Sequence, residues 1–153
     1  MTEALTLRRA CPADAEAIGQ LTREAYAKWA LLIGREPLPM QVDYAEAVGL
    51  HRFDLLHEAD ELVALIETTP EGELLLIVNV AVRPGSQARG LGKRLLAHAE
   101  DLAAEAGLQG MRLYTNQRFA ENIRLYASLG YAVERTETLT RGVVVHMVKL
   151  FAG

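Results

Sequence analysis

The sequence predicts an α/β chain, a mixed sheet of α+β character with helices on both faces, from three observations. Leu74 to Val82 is an aliphatic run with one polar residue, Asn79, ended by Pro84 and Gly85, the pattern of a buried strand. A glycine-bearing loop follows, and then Leu91, Leu95, Leu96, Ala99, Leu102, Ala103 and Ala106 line one face of a helix that stops at Gly107. Met111 to Asn116 reads as the next strand, so the helix is a crossover and the two strands are parallel. Short apolar runs joined by tight turns flank this βαβ unit on both sides, which makes the sheet mixed.

Taken in order, Leu5 and Leu7 alternate with polar residues as a first strand, β1, and Pro12 takes a favoured first-turn position before a helix. Ala15, Ile18, Leu21, Thr22, Ala25 and Trp29 give the stripe of that helix, α1. Ile33 to Met40, with Gly34, Pro37 and Pro39, breaks it, and Met40 to Val48 predicts a short α2. Phe53 to His57 (β2) and Leu62 to Thr68 (β3) form a hairpin around Glu58-Ala59-Asp60-Glu61. The turn Thr69-Pro70-Glu71-Gly72 leads into Leu74–Val82 (β4), closing an antiparallel meander. Leu91–Ala106 is α3 and Met111–Asn116 is β5. Phe119, Ile123, Leu125, Tyr126 and Leu129 mark α4, closed by Gly130. Tyr131–Leu139 (β6) and Val143–Leu150 (β7) make a final hairpin around Thr140-Arg141-Gly142.

A chain of 153 residues, 50% hydrophobic and 24% charged, has the size and mix of one domain spanning 1–153. The net charge of −4 argues against a general nucleic-acid or anionic-membrane binder, so any anion site must be focal, as at Arg89, Lys93 and Arg94. One cysteine, Cys11, excludes an internal disulfide framework, and four scattered histidines give no metal-ligand spacing. Neither an apolar segment near membrane-spanning length nor a signal-peptide pattern is visible, so the expected setting is cytoplasmic, with no membrane partner.

The loop between β4 and α3 sits where the first N–H groups of a helix have no intrahelical acceptor, a place that binds anions and phosphates above all. A dinucleotide fingerprint starting at Gly90 and Gly92 fails because Leu95 stands where a third small residue is needed. A triphosphate loop from Gly85 to Gly90 fails because Leu91 and Gly92 follow in place of Lys and Ser or Thr. What remains is Gln87-Ala88-Arg89-Gly90-Leu91-Gly92, with Lys93 and Arg94 beside it. On the loop alone, the plainer reading, two glycines that let a helix pack closely on a strand, stays open.

This Q-x-x-G-x-G loop resembles the pyrophosphate-binding signature of the GCN5-related N-acetyltransferase (GNAT) superfamily. The opening Arg8-Arg9-Ala10-Cys11-Pro12-Ala13-Asp14 and the phrase Thr115-Asn116 … Asn122-Ile123-Arg124-Leu125-Tyr126-Ala127-Ser128-Leu129-Gly130-Tyr131 are similar to two further patterns of that family. So is the element order β1-α1-α2-β2-β3-β4-α3-β5-α4-β6-β7, and the resemblance covers nearly the whole chain. It implies the acyl-CoA N-acyltransferase fold and the transfer of an acetyl group from acetyl-CoA to a small-molecule or peptide amine, without a metal and without an acyl-enzyme.

By that resemblance, coenzyme A is bound by Gln87, Ala88, Arg89, Gly90, Leu91, Gly92 and Lys93 at its diphosphate. The backbone of Asn79, Val80, Ala81 and Val82 binds the pantetheine and the acetyl oxygen, and Asn116 and Asn122 add amide contacts. Phe119 stands where many members carry another asparagine, so Asn122 is the less secure of the two. Tyr126 is the expected general acid for the departing thiolate: a phenol near pKa 10 is protonated at neutral pH. Read as plain helix, Tyr126 would be a core residue. Arg35, Met40, Asp43 and Tyr44 are candidate acceptor-side residues, with an ordinary helix pair as the alternative.

The general base is unmarked, because Asn79 stands on β4 where a carboxylate is common; Glu67, Glu73, Asp43, His51 and His57 are candidates through water. Two other readings stay open, a non-catalytic acyl-CoA sensor and a nucleotide-binding module. The β6–β7 hairpin is either covered or an edge that pairs in a homodimer.

Overall fold

The computed structural model describes residues 5–87 and 89–152. Its strands are β1 (Leu5–Arg9), β2 (Arg52–Glu58), β3 (Glu61–Glu71), β4 (Leu74–Val82), β5 (Gly110–Asn116), β6 (Ala132–Leu139) and β7 (Gly142–Leu150). Its helices are α1 (Ala15–Ile33), α2 (Tyr44–Leu50), α3 (Leu91–Glu105) and α4 (Ala120–Ser128), with 3-10 turns at Pro12–Asp14, Leu38–Gln41 and Pro84–Ser86. The strands make one mixed sheet in the order β1-β2-β3-β4-β5-β7-β6, and the sequence of elements is the predicted one.

Three boundaries differ for physical reasons. α1 runs past Trp29 to Ile33, where Gly34 at φ +74° closes it with an N–H bond to Ala30. Leu31 there is 88% exposed, so the apolar stripe ends before the helix does. β3 continues through Pro70 to Glu71, and the turn is carried by Gly72 at φ +60°. α2 begins after Asp43, whose carboxylate accepts the Ala45 N–H at 3.0 Å as an N-cap, while Leu38–Gln41 is a separate 3-10 turn.

Contacts divide the chain into two compact units. The first runs up to Thr68 and adds Asn79–Ala99. In it Ile18, Leu21 and Ala25 of α1 and Tyr44 and Ala47 of α2 pack on Phe53 and Leu55 of β2, Leu65 of β3 and Ala81 of β4. Burying one such large side chain is worth roughly 1.5–3 kcal/mol, so this face is the unit's main source of stability. The period of two puts Asp54 on the opposite side of β2 from Phe53, where Arg52 binds it through two bonds of 3.0 and 3.1 Å. At the start of the unit Arg8 forms a bidentate pair with Asp14, which also accepts the Cys11 N–H at 2.8 Å and so fixes the entry to α1. That pairing holds the Asp14 carboxyl well below the ordinary carboxylate range.

The second unit is Thr69–Val78 with the chain from Glu100 onward. Its parallel β4–β5 ladder runs from Leu74 opposite Gly110 to Ile77 opposite Leu113, and β5 pairs along its whole length with β7. Met111, Leu113, Val145 and Met147 are buried. Glu100 of α3 binds Lys149 of β7 at 2.8 Å and accepts the Tyr131 hydroxyl at 3.3 Å. Arg112 of β5 bridges Glu71 and Glu134.

Gly110 is where β5 and β7 come closest: a Cβ there would meet the Lys149 carbonyl oxygen and lie 2.9 Å from the Leu150 Cα. Backbone cannot step aside as a side chain can, so Gly110→Ala should lower the unfolding free energy by about 2 kcal/mol or more in urea titration. Gly49→Ala, in α2 with open space around it, should raise it by about 0.5–1 kcal/mol.

Candidate functional site

In the first unit the end of β4 and the start of α3 are fixed from three sides. Arg83 donates its N–H to the Val63 carbonyl at 2.8 Å, its guanidinium pairs with Glu61, and the Gln87 side chain donates to the Val82 carbonyl at 3.1 Å. Gln87 therefore ties the loop back to the strand it leaves. Gly90 has φ +77°, a conformation that costs a residue with a Cβ about 1–2 kcal/mol. The first α-helical bond is from the Arg94 N–H to the Gly90 carbonyl at 3.1 Å, so the amides of Leu91, Gly92 and Lys93 precede the helical ladder. Leu91 is buried, Gly92 half-buried, and Arg89, Gly90, Lys93 and Arg94 are exposed; Ala88 lies outside the described residues. Arg89 is bound by Glu58 at 3.0 and 2.5 Å, and each holds the other in its charged form: the pair lowers the carboxyl and raises the guanidinium.

On the face packed by α1 and α2, the Asn79 side chain is buried. It accepts the Tyr26 hydroxyl at 2.8 Å and donates to Thr22 Oγ1 at 3.5 Å, and Thr22 in turn donates to the Ile18 carbonyl at 2.9 Å. Val80 and Val82 are half-buried and Ala81 is buried. Glu67 of β3 lies on this face too, opposite Phe53 in the β2–β3 register, and is 3% exposed. His51, at the end of α2, reaches it with Nδ1 2.7 Å from Oε2, and which of the two holds the shared proton follows the imidazole tautomer. Burial pushes the Glu67 carboxyl up, and the His51 hydrogen bond only partly offsets that.

The acceptor candidates divide. Tyr44 is buried, donates its hydroxyl to the Pro39 carbonyl at 2.8 Å, stands edge-on to Phe53 and has its phenol pushed by burial to about 12. Asp43 caps α2. These two build the segment between α1 and β2, whereas Met40 is half-buried on its 3-10 turn and Arg35 is exposed.

In the second unit Asn116 ends β5 and its side-chain oxygen accepts the Arg118 N–H at 2.8 Å, while its carbonyl accepts the Phe119 N–H at 2.9 Å. The asparagine thus shapes the turn into α4, and its NH₂ makes no hydrogen bond among the described residues. Phe119 is buried and Asn122 half-buried. Tyr126 is half-buried, lies 5.9 Å from the Tyr131 ring, and makes no hydrogen bond through its hydroxyl among the described residues. Desolvation pushes that phenol to about 12. No group of three or more His, Cys, Asp or Glu converges as a metal site among the described residues, and no helix there is long and apolar enough to cross a membrane.

The sequence had offered His51 and Glu67 only among five candidates; the structure joins them. Their signal was faint: Glu67 is the charge that ends the apolar run Leu62–Ile66. Glu58 and Tyr26 gave none.

A family model described as the acetyltransferase (GNAT) family matches residues 16–131. Mycothiol acetyltransferase of Thermobispora bispora is 34% identical over 137 residues, which are 87% of this chain and 42% of that protein, so the chain spans less than half of that relative's length. Among solved structures, the PaiA N-acetyltransferase of Thermoplasma acidophilum, in complex with coenzyme A, superposes with a TM-score of 0.86 at 19% identity, over 97% of this chain and 99% of the other. The ribosomal-protein-S18-alanine N-acetyltransferase of Escherichia coli gives 0.79 at 23%, over 98% and 97%. These likenesses show the fold.

Glu67 generates a pH prediction. A carboxyl raised in the folded chain contributes stability fully only below its unfolded value and loses it as pH rises through the folded value. Glu67→Gln removes that loss, so its urea midpoint relative to the unsubstituted chain should climb between about pH 4 and pH 7 and exceed it at neutral pH. A midpoint difference that is flat or falls over that range refutes the raised carboxyl.

Proposed function

The chain belongs to the acetyltransferase (GNAT) family, and on that premise we propose that it moves an acetyl group from acetyl-CoA to an amine on a small molecule or peptide, in the cytoplasm. The observation that carries this is the turn before α3. Gly90 at φ +77° and the loop-to-strand bond from Gln87 hold the chain where the amides of Leu91, Gly92 and Lys93 precede the helical ladder. Those amides, with Arg89 and Lys93, are assigned the diphosphate, which takes Arg89 from Glu58.

The backbone of Asn79–Val82 is assigned the pantetheine and the acetyl oxygen. In support, the β4–β5 register ends at Ile77 while β4 continues to Val82. Amides aimed at the thioester oxygen polarise the carbonyl without any special side chain. Asn116, whose NH₂ is left over from its turn, and Asn122 are assigned the pantetheine arm. The neutral amine attacks the acetyl carbon, the C–N bond forms, the C–S bond breaks, and the thiolate takes the Tyr126 proton. A phenol at about 12 is fully protonated at neutral pH. The dry surroundings that raise it also raise the basicity of a thiolate placed there, so donor and acceptor shift together. Direct transfer fits Cys11, which is exposed, being no part of this route.

Acetyl-CoA at a hundred times its Kd should stabilise the chain by about 2.7 kcal/mol, read as a rise in thermal midpoint, and Mg-ATP should not. Stabilisation by Mg-ATP alone would point to a nucleotide module. Thiol release with a panel of amines then separates enzyme from sensor. Tyr126→Phe should cut kcat on the order of 10²-fold with little change in the KM for acetyl-CoA. Unchanged turnover across the pH range would remove Tyr126 as the acid.

A further inference from the structure

An amine acceptor reaches the site as an ammonium ion and must lose a proton before it can attack, yet β4 itself carries Asn79 and no carboxylate. The first unit holds a titratable pair on the same face. Counting in twos from the Arg83-to-Val63 bond sets Leu65 opposite Ala81 and Glu67 opposite Asn79, in keeping with the membership of Leu65 and Ala81 in one cluster. Glu67 is 3% exposed and its partner His51, 2.7 Å away, has a side chain 32% exposed, so the pair runs from the buried strand toward solvent. Around it the face is built of Ile18, Leu21, Phe53 and Leu65. A carboxylate with one ionisable partner in such surroundings gives the fold nothing that a well-packed apolar side chain would not give better. The charged or titratable groups on this face from the packed helices are Tyr44 of α2, Tyr26 of α1, bonded to Asn79, and Arg23 of α1, whose charge acts on Tyr44, while Arg52, Asp54 and His98 share the other face of the sheet.

We propose that Glu67 and His51 are the proton relay of the acceptor amine, Glu67 taking the proton through a water and His51 passing it to solvent. This rests on the acyl-transfer reading above. The ammonium gives H⁺ to the Glu67 carboxylate and becomes the neutral nucleophile. The protonated Glu67 gives H⁺ to the bare Nδ1 of His51 in its Nε2–H tautomer, the imidazolium releases the Nε2 proton to bulk water, and exchange with solvent restores that tautomer. The carboxylate and the neutral imidazole are regenerated, and nothing is oxidised or reduced. Glu67 is held above the ordinary carboxylate value by burial, which brings it nearer the working pH of a base. His51 acts through Glu67 and is a positioning and relay residue.

The test compares acceptors that do and do not need a base. Thiol release from acetyl-CoA is measured at pH 7 with primary aliphatic amines, which are ammonium ions there, and with hydroxylamine, which is already neutral. Glu67→Gln should slow the amines about 10²-fold and leave hydroxylamine within about three-fold, with acetyl-CoA still raising the thermal midpoint. His51→Gln, which keeps a hydrogen bond to Glu67 and cannot carry a proton, should slow the amines by at least about three-fold and spare hydroxylamine. Should Glu67→Gln yield no folded chain, the His51→Gln comparison decides alone. Full amine turnover in Glu67→Gln, or equal slowing of both acceptor classes in either variant, overturns the relay. No thermal response of the unsubstituted chain to acetyl-CoA sinks instead the acyl-transfer reading beneath it; a response without thiol release to any acceptor overturns the relay together with the enzyme.

Discussion

A helix start leaves N–H groups that its own ladder cannot satisfy, and the turn before α3 is constructed around that deficit. Among the described residues, the turn is fixed by Arg83 N–H to Val63, the Gln87 amide to Val82 and Ser86 N–H to Arg83 at 2.8 Å. None consumes the amides of Leu91, Gly92 or Lys93. Gly90 supplies a left-handed residue where a side chain would add strain, and Arg89 is held at the loop by an acid, Glu58. The fold thus spends side chains on position and leaves these backbone donors outside the helical ladder. That division is how the proposed diphosphate site is compatible with a net charge of −4.

The polar groups buried under α1 follow a different logic. Thr22, Asn79 and Tyr26 form a hydrogen-bonded chain closed on the Ile18 carbonyl, so their burial costs little and specifies how α1 lies on β4. Glu67 is not closed in the same way. Its hydrogen-bond partner among the described residues is a half-exposed imidazole, and its carboxyl is raised above the ordinary value. A satisfied network fixes geometry; an ionisable pair with an outlet holds a proton that can leave. The two sit on the same face and together distinguish scaffold from chemistry.

Much of the fold was legible because its signals are local. Aliphatic runs bounded by Gly72, Gly107, Gly130 and Gly142, all at positive φ, gave strands and helix stops within a residue or two. Where local signals conflicted they misled: Pro70 suggested a turn, but β3 carries it to Glu71, and the fading stripe after Trp29 concealed four more helical residues, 30–33. The loop could be read because backbone chemistry leaves glycines in the sequence. The Glu67–His51 pair could not be singled out, since it joins positions 16 residues apart through a strand register and the end of a helix. Asp43 and Tyr44 drew notice as candidate acceptor-side residues in the segment before β2; one caps α2 and the other braces Pro39 and Phe53.

The second unit offers two tyrosines five residues apart, and their surroundings separate them. Tyr131 is buried, gives its O–H to Glu100 and lies beside Lys149, whose Nζ is 5.8 Å from the ring centre, so its proton is committed to a structural ion pair. Burial and the Glu100 charge push it further from any acid role. Tyr126 has the desolvation without the commitment, since its hydroxyl makes no hydrogen bond among the described residues. A phenol kept protonated but unpartnered can meet a charge that exists only during reaction, and a stabiliser that acts only then raises kcat and leaves ground-state binding untouched. Of the two, Tyr126 is the phenol whose hydroxyl is uncommitted among the described residues, which is what the proposed acid role requires.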